Sequence, residues 1–214
     1  MSVSTKQVAE LRRKTGAGLM DCKKALVESD GDINKAIEYL QKKSLAAVGK
    51  RAGKVAAEGM VYSYIHDNRI GALVEINCET DFVARGDDFK ALVKDVAMQV
   101  VASAPLYLTP AEIPAEETAK QSDIYKAQLR EEGKPEAIFD KIIQGKLKKW
   151  HSEICLMNQA SLRDDKKTLE QYVTEVASVI REKIQVRRFV RFELGQGIEK
   201  KEENFADEVA AMMK

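Results

Sequence analysis

An alternating strand that runs into a helix cap constrains this chain more than any other part of it. In Ile70-Gly71-Ala72-Leu73-Val74-Glu75-Ile76-Asn77-Cys78, the residues Ile70, Ala72, Val74, Ile76 and Cys78 fall on one face of an extended segment. Thr80 is then placed to cap a helix with its hydroxyl, and Asp81 suits the positive end of that helix. Phe82 follows at the strand-to-helix corner, with Val83 behind it, where a side chain is easily presented outward. An acid beside a large apolar ring at such a corner can meet both a cation–phosphate site and an apolar slot. The alternative is a capped helix whose ring packs back into its own core, and the local pattern by itself favours that alternative.

The surrounding sequence supplies the rest of a sheet. Met60 to His66 alternates as a strand, Asp67-Asn68 makes a turn, and the Ile70 strand returns antiparallel to it. Ile184 to Leu194 is rich in β-branched and aromatic residues and most simply joins as a third strand. Asp87 is read as the cap of a helix whose Phe89, Leu92, Val93, Val96, Ala97, Val100 and Val101 face inward. Thr168 starts another, with Leu169, Tyr172, Val173, Val176 and Ile180 inward. Between them, Pro105 to Pro114 is a break. Residues 115–150 carry mostly polar helices, with Ile138, Ile142, Ile143 and Leu147 along one side and Pro135 fitting a first turn.

The N-terminal part reads differently, as three short helices. Ser4 or Thr5 caps the first, Thr15-Gly16-Ala17-Gly18 breaks it, and Leu19, Cys22, Ala25 and Leu26 stripe the second. Asp32 caps the third, with Ile33, Ala36, Ile37 and Leu40 at helical spacing. So few apolar residues make a bundle suited to docking on something else. Lys50, Arg51 and Lys54 follow among small residues, a solvated helical linker without the interleaved aromatics that single-stranded nucleic acid needs. At the far end, Asn204 to Met213 is amphipathic and leaves Phe205, Val209 and Met212 as an apolar stripe with no core beyond it to cover it. The fold expected is α+β: a three-helix module over 1–54, a core over 55–197 with a small antiparallel sheet packed by helices, and a C-terminal helical module over 198–214.

Composition narrows the function. Lys+Arg 35 against Asp+Glu 34 leaves a net charge of +1, so no global field draws the chain to nucleic acid or membrane. Cys22, Cys78 and Cys155 lack metal-site spacing and read as free thiols of a reducing compartment. With no apolar leader or membrane-length run, a cytosolic protein is expected. His66 and His151, read as lying in a turn and after a helix, have no nucleophile nearby in sequence. Gly16-Ala17-Gly18 lacks the strand that a dinucleotide loop requires before it, and Asp30 and Asp32 lack the Glu of a calcium loop. No cofactor, metal site or chemistry of its own is expected. The chain is built like a protein that acts on another protein.

Three stretches resemble the elongation factor Ts family, the guanine-nucleotide exchange factors of elongation factor Tu. They are Leu11-Arg12-Arg13-Lys14-Thr15-Gly16-Ala17-Gly18-Leu19-Met20-Asp21-Cys22-Lys23-Lys24-Ala25-Leu26 with Gly31-Asp32-Ile33; Glu75 to Arg85; and Arg188 to Gly195 with Phe205 to Ala210. The resemblance implies a ubiquitin-associated-like N-terminal module that docks through Leu11, Arg12, Thr15, Gly16 and Met20, helped by Phe205, Val209 and Met212. It implies that Thr80, Asp81, Phe82 and Val83 insert beside the partner's magnesium site, displace the ion and release GDP. The implied partner is elongation factor Tu, GDP-bound or nucleotide-free, with neither nucleic acid nor membrane contacted. It also allows two copies to pair through their sheets into a homodimer, giving a two-plus-two assembly. Longer members carry a second core repeat, which the stretch after the Phe89 helix is too short to hold. The rival from another class is a scaffold or chaperone that only docks partners, for which the Thr80–Val83 corner has no use.

Overall fold

The structure is a computed structural model and describes residues 3–51 and 53–198. The expected helix at Asn204–Met213, with Phe205, Val209 and Met212, lies outside the described residues. Within them the fold is α+β.

Three helices open the chain: α1 (Thr5–Thr15), α2 (Leu19–Glu28) and α3 (Ile33–Arg51). Ser4 caps α1 in a reciprocal capping box with Gln7, and Gly16 ends it at φ 66°, a left-handed turn that favours glycine. Asp32 Oδ1 accepts the N–H groups of Asn34 and Lys35 at the start of α3. Leu11, Cys22, Ala25, Leu26 and Ala36 are fully buried between the helices, with Val8 and Leu40 nearly so.

Strands β1 (Glu58–His66) and β2 (Ile70–Cys78) form a hairpin, closed by a turn in which Asp67 and Asn68 both take positive φ. Gly59 has φ 142°, and a side chain there would run into the Ile76 carbonyl, so this crossing requires glycine. After β2 come the single-turn α4 (Asp81–Ala84) and the long α5 (Asp87–Ser103). The cap of α5 is Gly86, with Asp87 its first residue: the carboxylate makes no cap hydrogen bond and acts through the helix dipole instead.

Residues 115–154 form a helical hairpin of α6 (Ala115–Glu131) and α7 (Phe139–Ile154). It has its own small cluster of Leu129, Phe139, Ile143 and Leu147. Ile138 was expected on that inner side, but it precedes α7 and is exposed, and Phe139 fills the place. α8 (Leu169–Ile180) starts on a Thr168–Gln171 capping box. β3 (Gln185–Glu193) then pairs antiparallel with β2, giving the order β1-β2-β3. A register shift between Glu75 and Ile76 lets Arg187 and Arg188 both reach Glu75, each at 2.6 Å.

The inner sheet face carries Ala72, Val74 and Ile76 against Phe89, Leu92, Val93 and Val96 of α5 and Val173 of α8. Asp95, 5% exposed on α5, is held by a two-pronged Arg163 contact at 2.7 and 2.8 Å and by the Tyr172 hydroxyl. Among the described residues nothing covers the outer sheet face. Strand pairing puts Val61, Ile65, Leu73, Val190 and Phe192 on it together, all exposed.

Candidate functional site

The corner between β2 and α5 is built on buried anchors. Cys78 ends the inner face of β2, and Ala84 closes α4 against the core with Val83 beside it. A helix of one turn cannot sustain itself, because nucleation fixes several residues for one hydrogen bond. Here a segment of the same chain, distant in sequence, supplies the missing bonds. Glu182, two residues past α8, accepts the N–H groups of Glu79 and Thr80 on Oε2, each at 3.0 Å, and the Thr80 hydroxyl on Oε1 at 2.7 Å. The Thr80 oxygen in turn accepts the Val83 N–H at 3.4 Å as the helix cap.

Glu79 is the second brace. Its Oε1 accepts the Lys183 N–H at 2.7 Å and the Arg51 guanidinium at 2.8 Å. The Lys183 N–H, and then Arg51, hold its carboxyl below the usual range, so it stays ionised at neutral pH. Burial, then the Glu182 charge, pushes the Cys78 thiol up to about 11; the protonated sulfur donates to the Thr80 carbonyl at 3.2 Å. A thiol so held is a structural group and no nucleophile.

On this braced backbone Phe82 is 84% exposed, against the expectation from the local pattern alone that the ring packs inward. Asp81 meets Arg85 one turn on at 3.1 Å, both largely in solvent, a pair that contributes little to stability and leaves the carboxylate available. The corner therefore presents an acid and an aromatic ring side by side to solvent.

The residues expected to dock a partner divide. Leu11 is 0% exposed and holds the bundle from inside. The Thr15 hydroxyl donates to the Leu11 carbonyl at 2.8 Å and shapes the end of α1. Gly16 lies beside Val179 of α8, where a Cβ would come within 3.4 Å. Arg12 and Met20 face solvent, Met20 at 72% with Leu19 next to it also exposed. The bundle is seated on the core by Asp21, which meets Arg181 at 2.9 Å while Lys43 of α3 holds it from within the bundle at 2.7 Å, and by Arg51 reaching Glu79.

The expected strand does end at His66, while His151 lies inside a helix and not after it. His66 ends β1, with Nδ1 3.2 Å from the Tyr64 hydroxyl, and His151 lies within α7 beside Trp150. Among the described residues no group of three or more His, Cys, Asp and Glu could hold a metal ion, and no helix is long and apolar enough to cross a membrane. Sequence reading missed Glu182. The one local signal was Arg181-Glu182-Lys183 between a helical and a strand pattern, where Arg181 takes φ 64° and turns the chain toward the corner.

Fold and site together give an α+β protein whose core displays an acid–aromatic corner, with a small helical module attached. The pattern of the family described as Elongation factor TS matches residues 5–196. Elongation factor Ts of Geobacter sulfurreducens is 56% identical over 212 residues, covering 99% of this chain and 98% of the relative. That of Desulforamulus reducens is 52% identical over 213 residues, with the same coverage, and that of Acetivibrio thermocellus 54% over 208, covering 97% of each. This chain belongs to the elongation factor Ts family. The near-complete coverage in both directions shows that these relatives have about the length of this chain.

Proposed function

We propose that this protein binds elongation factor Tu carrying GDP and promotes release of the nucleotide, so that GTP can enter during translation elongation. The observation that carries this reading is the exposed Phe82 beside Asp81 on a backbone braced from two sides. The ring and carboxylate enter beside the partner's magnesium site, displace the ion and loosen the diphosphate, with Thr80 and Val83 shaping the corner. A nanomolar nucleotide holds on with about 12 kcal/mol. Burying one Phe contributes about 1.5–3 kcal/mol, so the wedge cannot act by its own burial alone. Docking supplies the rest, through Arg12 and Met20 on the bundle shaped by Leu11, Thr15 and Gly16, and through Phe205, Val209 and Met212. Linkage then makes nucleotide weaken factor binding by the ratio in which factor weakens nucleotide binding, and the factor leaves when GTP enters. No cofactor and no nucleic acid or membrane contact enters this scheme, and the site of action is the cytoplasm.

Pairing of two copies is part of the same proposal. The uncovered outer face, with Phe192 at 72% exposure among Val61, Ile65, Leu73 and Val190, is continuous across all three strands and apolar enough to seat a second sheet. A mass measurement in solution at working concentration reads a dimer if this is right and a monomer if it is wrong.

The functional reading is tested by release of a fluorescent GDP from purified elongation factor Tu. Release accelerated by catalytic amounts of this protein supports it. Binding without accelerated release makes the chain a docking scaffold and overturns it.

A further inference from the structure

The geometry points to Glu182 as the positioning residue of the exchange corner, a group that acts through Phe82 without touching the partner. The inference rests on the exchange reading above. Three donors converge on this one carboxylate: two consecutive backbone N–H groups, of Glu79 and Thr80, on Oε2, and the Thr80 hydroxyl on Oε1. The hydroxyl has a single proton, so giving it to Glu182 aims the oxygen lone pairs at the Val83 N–H, and the cap of α4 is set from outside. A helix of four residues gains little from its own hydrogen bonds, so its start depends on groups outside it. Phe82 is its second residue, so a change in the direction of Thr80 swings the ring directly.

The same three-residue loop links the corner to the helical bundle. Arg181 donates to Asp21 of α2 at 2.9 Å, Glu182 holds Thr80, and the Lys183 N–H holds Glu79. Glu79 and Thr80 stand more than a hundred residues before this loop in the chain, yet four hydrogen bonds join the two segments: those of the Glu79 N–H, the Thr80 N–H and the Thr80 hydroxyl to Glu182, and that of the Lys183 N–H to Glu79. A ring that is 84% exposed receives almost no orientation from packing of its own. Its direction must come from the backbone beneath it, and Glu182 is the side chain that grips that backbone.

The test compares Glu182→Ala, Glu182→Gln and Phe82→Ala, singly and as the Glu182→Ala/Phe82→Ala pair, in release of fluorescent GDP from elongation factor Tu. Glu182→Ala is expected to lower the maximal rate at saturating factor about tenfold, as small misplacements of a working group do, with half-saturation shifted less than about twofold. Glu182→Gln keeps the shape and loses the charge, and is expected to lower it about threefold. In the Phe82→Ala background the Glu182 substitution should add less than about twofold, since there is no ring left to aim. Rates are taken per folded molecule, and if Glu182→Ala melts below the assay temperature, Glu182→Gln carries the same comparison. A maximal rate equal to that of the unmodified protein, or full multiplication of the two effects in the pair, overturns the inference. If the unmodified protein fails to accelerate release, or Phe82→Ala matches it, the exchange reading itself has failed.

Discussion

The sheet core and the N-terminal bundle each contain a helix started by a capping box, at Thr168 and at Ser4, yet they differ in what they enclose. Among the described residues the core buries seventeen apolar side chains in one cluster, with Phe89, Leu92 and Ile76 at its centre. The bundle buries seven, of which Cys22, Ala25 and Ala36 are small. Burial scales with the area removed from water, so the core carries its own stability while the bundle leans on α8. The lesson concerns placement of function. The exposed ring of Phe82 is mounted on the well-filled part, where its backbone is held, and the docking surface proposed around Arg12 and Met20 is mounted on the lightly filled part.

Phe89→Ala is the strongest way to break this comparison. Removing the largest fully buried side chain of the core is expected to cost about 3–5 kcal/mol and to lower the melting of the whole chain. Leu11→Ala sharpens it. The loss of about 3 kcal/mol should fall on the bundle alone, read by hydrogen exchange as lost protection over residues 5–40 with β2 still protected. Equal loss of protection in β2 would make the two regions one cooperative unit.

A smaller effect probes the seam. The Lys43 hydrogen bond holds the Asp21 carboxyl below its ordinary 3.8, with Arg181 adding to it. A lowered folded value means that the unfolded chain binds the proton more readily, so the contribution is present above the ordinary value and is lost as pH falls through the folded one. Asp21→Asn should therefore cost about 1 kcal/mol or less at pH 7, given the partial exposure of the pair. The gap between variant and unmodified protein should narrow as pH falls below the ordinary value of 3.8 in paired thermal melts. A gap that stays constant with pH would remove charge from the account of how the bundle is seated.

Much of this architecture was legible because it is periodic. The inner face of β2, the inward face of α5 and the caps at Ser4, Asp32, Thr80 and Thr168 all follow from spacing and local hydrogen bonding, which involve neighbours in sequence. The exceptions are local too. Asp87 yielded the cap to Gly86, and Ile138 yielded the inner place to Phe139. What spacing could not give is the grip of Glu182 on Thr80, because the two meet across more than a hundred residues once β3 has returned to the sheet. For the same reason the pairing of α6 with α7 around Leu129 and Phe139 was not readable from two polar helical patterns. The exposure of Phe82 was the reverse case: the local pattern favoured a buried ring, and the braced corner turns it out.

The central claim is that Phe82 works on a partner and contributes little to its own fold. It is tested most directly by Phe82→Ala, with thermal melting and fluorescent GDP release from elongation factor Tu measured on the same preparation. The account predicts a stability change within about 0.5 kcal/mol and a maximal release rate at least about tenfold lower. A sharp fall in melting temperature, with release per folded molecule unchanged, would make Phe82 a structural residue and contradict it.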